Sequence, residues 1–138
     1  MRIGLYVILA LIILLLLCSP SSSRSSDPKL LELDAKARLI LIKAVVDPCP
    51  NFLLMETKTY SQTRGDREIH LLLRDPQGNY YDDETLVNVL CHELAHITSG
   101  IGDEHGEEFD HWEGVLLEAA RELGFSSGQG ITENYPCY

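Results

Sequence analysis

From Ile3 to Leu17 the chain is apolar, with only Gly4 and Tyr6 varying the run, so the folding domain must be built from residues further along the chain. Arg2 precedes the run, and a Cys-Ser-Pro-Ser-Ser-Ser-Arg-Ser-Ser stretch, Cys18 to Ser26, succeeds it. A basic start, a long apolar run and an exit of small polar residues describe a secretory signal or an uncleaved signal anchor. Nothing polar interrupts the run to give it a wet face, which argues against its being a buried helix of the domain. It falls slightly short of the roughly 20 residues that cross a bilayer comfortably. Two outcomes therefore stay open, single-pass anchorage by the amino terminus and secretion after cleavage. The expected division is residues 1–18 as signal or anchor, 19–26 as a Ser-rich linker and 27–138 as one domain.

A domain of that size holds one hydrophobic core and leaves no room for separate substrate and cofactor lobes. Its charge is unevenly placed. Residues 27–81 carry eight acidic and eight basic side chains, whereas residues 82–138 carry thirteen acidic ones and a single basic one, Arg121. A half that acidic repels phosphate backbones and anionic lipid headgroups. Direct nucleic-acid binding is not expected; a solvated surface, bound cations or a basic partner is.

Asp27-Pro28 reads as a helix start, an Asp cap before a Pro in the first turn. Leu30, Leu33, Ala37, Leu41, Ala44 and Val45 then recur at helical spacing until Asp47-Pro48. Two strands are expected at Phe52–Thr59 and Glu68–Arg74, with Ser61–Asp66 as the turn between them. Ile69, Leu71 and Leu73 share one face of the second strand. Asp82 opens another helix with an apolar stripe of Leu86, Leu90, Leu94 and Ile97, and Gly100 stops it. A last helix, from about Glu107 to Leu123, turns Phe109, Trp112, Leu116, Ala120 and Leu123 inward. Helix, two or more antiparallel strands, helix and helix make a small α+β domain. Cys49, in Asp-Pro-Cys-Pro, and Cys137, in Tyr-Pro-Cys-Tyr, are either bridged or two separate thiols, and Cys91 is a buried helical residue.

Within the third helical stretch the chain reads His92-Glu93-Leu94-Ala95-His96. One helical turn separates the two histidines, so both imidazoles leave the same face and can grip one metal ion. With Leu90 at the centre of the apolar stripe, His92 and His96 fall at about 200° and 240° around the helix. They are expected to face a cleft opposite the core. Glu93 lies beside them, placed to take a proton from an attacking water and pass it to a leaving amine. A catalytic zinc needs three protein ligands and an open position. His105, before Gly106 and the last helix, is the favoured third ligand, and His111 the alternative. Glu104, Glu107, Glu108 and Asp110 are read as a solvated acidic rim, and His70 as a surface residue on its strand.

The sequence His92-Glu93-Leu94-Ala95-His96 followed by His105-Gly106-Glu107-Glu108-Phe109 resembles the WLM and SprT-like zinc metallopeptidases. Their pattern is HExxH, a short loop, and a His with an aromatic residue four positions on. The likeness spans roughly Leu30 to Phe125, and the eight residues between His96 and His105 are nearer the SprT-like spacing. It implies a small zincin-like fold, His92, His96 and His105 as zinc ligands, and Glu93 as the catalytic residue. It also implies that the strand at Glu68–Arg74 forms the edge beside the cleft, where an extended protein or peptide substrate adds as a further strand. The expectation is a zinc metalloprotease, membrane-anchored or secreted, with Glu93 as general base. Tyr80, Tyr81 and Tyr135 are loose candidates for an oxyanion partner. The competing reading is a non-catalytic, zinc-stabilised, membrane-anchored module that binds a basic partner.

Overall fold

Two aspartates start the main helices. The Asp27 carboxylate accepts the Lys29 N–H at 2.8 Å, with Pro28 in the first turn, and the Asp82 carboxylate accepts the Thr85 N–H at 2.7 Å. In the computed structural model, which describes residues 2–17, 27–100 and 105–127, the helices are α1 (Arg2–Leu17), α2 (Pro28–Lys43), α3 (Asp83–Ser99) and α4 (Glu107–Glu122). Three strands, β1 (Leu53–Thr57), β2 (Gln62–Arg64) and β3 (Glu68–Leu72), lie between α2 and α3 in the chain. The domain is α+β, as expected.

The sheet departs from expectation in two ways. Its order is β1-β3-β2, and the two strands anticipated from the sequence, β1 and β3, pair in parallel, Leu54 opposite Ile69. Only β2 and β3 are antiparallel, with Thr63 opposite Ile69. The segment anticipated as a turn supplies β2, and this short strand takes the antiparallel place beside β3. Consequently β3 is central, and β2 is the edge that meets α3. Leu54, Ile69 and Thr63 form one inward row across the three strands, all buried, with Thr63 as its polar end.

The apolar stripes meet as anticipated along most of their length. Leu30, Leu33, Ala37 and Leu41 of α2, Leu86, Leu90 and Leu94 of α3, and Phe109, Leu116 and Ala120 of α4 close one core over Ile69, Leu71 and Leu73. Val45 is the exception. At φ 56° it occupies the left-handed region, and its side chain is 80% exposed. The Val46 N–H bonds the Leu41 carbonyl and the Val45 N–H bonds that of Ile42, the closure that usually recruits glycine. A left-handed β-branched residue costs about 1–2 kcal/mol, and here that turn swings the side chain out of the stripe it was expected to join. At the other helix end the residue is the favoured one, Gly100 at φ 68°.

Packing turns α3 into the central helix, against α2, α4, β2 and β3. Ten of its residues are buried, from Leu86 to His96 with only His92 half-buried. On the side of α3 away from the apolar stripe, β2 and α4 flank the motif through Thr63 and Glu113, with His92 half-buried and His96 buried.

Helix α1 exposes Val7, Ile8, Leu9, Leu11, Ile12, Ile13 and Leu14. Among the described residues no helix is long and apolar enough to cross a membrane, α1 having 16 residues. The Ser-rich stretch 19–26, Cys18, Glu104, Tyr135 and Cys137 lie outside the described residues. Cys49 is disulfide-bonded, and Cys91 is a free thiol with no exposed surface. Burial pushes the Cys91 thiol up to about 12. Because the thiolate is the reactive form, Cys91 in the native chain at pH 8 is expected to resist iodoacetamide and to react once guanidinium unfolds it. Peptide mass spectrometry reads the difference, and rapid native labelling would show that α3 opens readily.

Candidate metal centre

The helical repeat brings His92 and His96 together on α3, their ring centroids 5.2 Å apart and their planes nearly perpendicular at 81°. His105 arrives from the segment just before α4, its ring 5.0 Å from that of His92 and 4.9 Å from that of His96. One nitrogen from each imidazole falls within 4.8 Å of the others. His96 Nε2 and His105 Nε2 stand 3.1 Å apart. Two nitrogens at the usual zinc bond length and a tetrahedral angle are separated by about 3.4 Å, close to that spacing. Phe109, in the first turn of α4, lies against all three imidazoles, with centroids 4.5 Å from His96 and His105 and 4.9 Å from His92. Among the described residues His92, His96 and His105 form the group able to hold a metal ion.

The two ring nitrogens of His92 have different surroundings. His92 Nδ1 hydrogen-bonds to the Glu113 carboxylate of α4. His92 Nε2 is buried and has no hydrogen-bond partner. A buried polar atom without a partner is costly, and a metal ion is a ligand that satisfies it. Imidazole ligands suit zinc, copper, nickel or iron, and three histidines are one ligand set of catalytic zinc.

Glu93 lies between the two α3 ligands in sequence, but it stands outside the metal-ligating group. Its fully buried carboxylate accepts a hydrogen bond from the Thr63 hydroxyl of β2 at 2.7 Å, and the same hydroxyl is 3.0 Å from the Glu93 main-chain oxygen. A hydroxyl has one proton, so these two acceptors share it. The contact fastens the motif helix to the sheet edge.

The remaining candidates fall elsewhere. His111 is exposed on α4, packs on Trp112 and borders a shallow groove with Lys43, Glu118 and Glu122. His70, expected at the surface, is half-buried on β3 between Met55 and Gln62, and burial pulls its imidazole below the usual range. The Tyr80 hydroxyl is engaged by Arg74 and Asp27. Tyr81 borders a cleft of about 570 Å³ at the ends of β1 and β3, lined also by Glu56, Lys58 and Arg74 and by none of the three clustered histidines. Glu107, Glu108 and Asp110 are exposed in the first turn of α4, where the helix dipole favours acids.

Two residues at the site are absent from the sequence-based expectation. Glu113 sits four positions after Phe109, on the same face of α4, and the signal for it is the need of a ligating imidazole for an acceptor on its second nitrogen. Thr63 sits in the segment expected to be a turn. Comparison with known proteins finds no matching family model, no similar curated protein and no similar solved structure.

Proposed function

We propose that this chain is a zinc-dependent metallopeptidase of the WLM or SprT-like kind, acting on proteins or peptides. The observation that carries the reading is the three-imidazole cluster with the buried, partnerless Nε2 of His92 at its centre. His92, His96 and His105 hold the ion. Zinc, when bound, supplies Lewis acidity toward the scissile carbonyl and makes water a nucleophile at neutral pH. Glu93 takes the proton of the attacking water and returns it to the departing nitrogen, and Thr63 aims its carboxylate. The edge strand β2, rather than β3, lies beside Glu93, and an extended substrate adds to it there.

A bonded Cys49 fits an oxidising compartment, in keeping with an apolar amino-terminal segment that exports or anchors the domain. The acidic second half supports a protein substrate over nucleic acid.

The full chain loaded with zinc, then dialysed, is expected to retain about one ion and to cleave an unfolded protein in a chelator-sensitive way. His105→Ala is expected to lose both properties, because two ligands on one helix form an incomplete site. Elemental analysis with a peptide-release assay reads the outcome. Absence of zinc from the intact chain overturns the reading. Zinc retained without turnover on any unfolded protein favours the non-catalytic binding module instead.

A further inference from the structure

We infer that Glu113 is the positioning residue of this centre, fixing His92 in the tautomer that offers Nε2 to the metal. The inference rests on the metal-centre reading above and extends it to a residue outside the ligand set. An ionised carboxylate only accepts hydrogen bonds, so its contact with His92 Nδ1 places the imidazole proton on that nitrogen. A neutral imidazole then carries its lone pair on Nε2, the atom that is buried and unpartnered. The same carboxylate strengthens Nε2 as a donor and balances part of the charge that a dication brings.

The position of Glu113 serves that role in a way a general helix contact would not require. It lies on α4, which begins directly after His105 and Gly106 and carries Phe109. One helix therefore supplies the carboxylate to His92, the aromatic floor to all three rings and the anchor for the third ligand. The pair is sheltered, with side-chain exposures of 13% for His92 and 28% for Glu113. No other cation in this half of the chain competes for the carboxylate: Arg121 is the sole basic residue from 82 to 138, and it pairs with Glu118.

The alternative is that Glu113 merely clips α4 to α3. Zinc affinity, measured on the full chain by competition with a chromophoric chelator, separates the two roles. Glu113→Ala is expected to bind zinc ~10–100-fold more weakly. Its metal-free melting temperature should shift little. Glu113→Gln, nearly isosteric, guards against a variant that fails to fold and is expected to recover part of the affinity through its amide oxygen. Wild-type affinity in both Glu113 variants overturns the inference while leaving the metal centre standing. A wild-type chain that holds no zinc overturns the centre itself, and the two failures are told apart in the same titration.

Discussion

Glu93→Gln is expected to leave zinc bound at wild-type stoichiometry and to lower peptide cleavage by ~10²–10⁴-fold, the usual worth of a positioned general base. The substitution preserves shape in a site with no room to spare, since Glu93 has no exposed surface. The Gln amide oxygen can still accept the Thr63 proton, so the fastening of α3 to β2 survives. What is removed is a basic oxygen. If cleavage persists at more than about a tenth of wild type, Glu93 is not the base and the peptidase reading loses its chemistry. If zinc is lost as well, the residue holds the site together. Zinc analysis beside kcat on an unfolded protein substrate distinguishes these results.

The features that are legible in the sequence have local causes. The His92–His96 spacing reports a helical turn whatever surrounds it, and Asp27, Asp82 and Gly100 mark helix ends through interactions with their own neighbours. The preference for His105 over His111 comes from its place before a helix, which frees it to reach back; the geometry brings His105 to the pair and leaves His111 outside. The features that escape depend on partners distant in the chain. Strand β2 has one inward residue, Thr63, and it is polar, so no apolar alternation announces it. Its hydroxyl is buried only because Glu93, thirty residues away, accepts from it. With β2 unseen, β1 and β3 look like a hairpin, and β3, which the resemblance made the edge, is instead the central strand.

The flanks of the ligand face go unread for a related reason. An apolar stripe shows which side of a helix enters the core; it does not show that other elements will cover the opposite side with polar contacts. On α3 those covers are Thr63 from β2 and Glu113 from α4, each meeting a charged or hydrogen-bonding group of the motif. The motif is thus held from both flanks by side chains that hydrophobic periodicity does not register.

Phe109→Ala is expected to cost the domain about 3–5 kcal/mol, the range for removing a buried phenylalanine, and to weaken zinc binding in addition. The ring is 2% exposed and lies within 4.9 Å, centroid to centroid, of every imidazole in the cluster. One truncation thus causes two losses. The start of α4 loses the buried ring it packs on His92 and His96 of α3, and His105, which is itself exposed and outside any helix, loses the surface it rests on. Leu116→Ala provides the comparison, because Leu116 is equally buried on the same helix but two turns further from His105. Its stability loss should fall at about 2–5 kcal/mol, with zinc affinity close to wild type once the chain is folded. Urea denaturation of the metal-free chains measures the first effect and chelator competition the second. If both variants lose stability alike and neither changes affinity, the ring acts only as core. If Phe109→Ala alone loses affinity, the aromatic four residues after His105 is there to keep the third ligand over the first two.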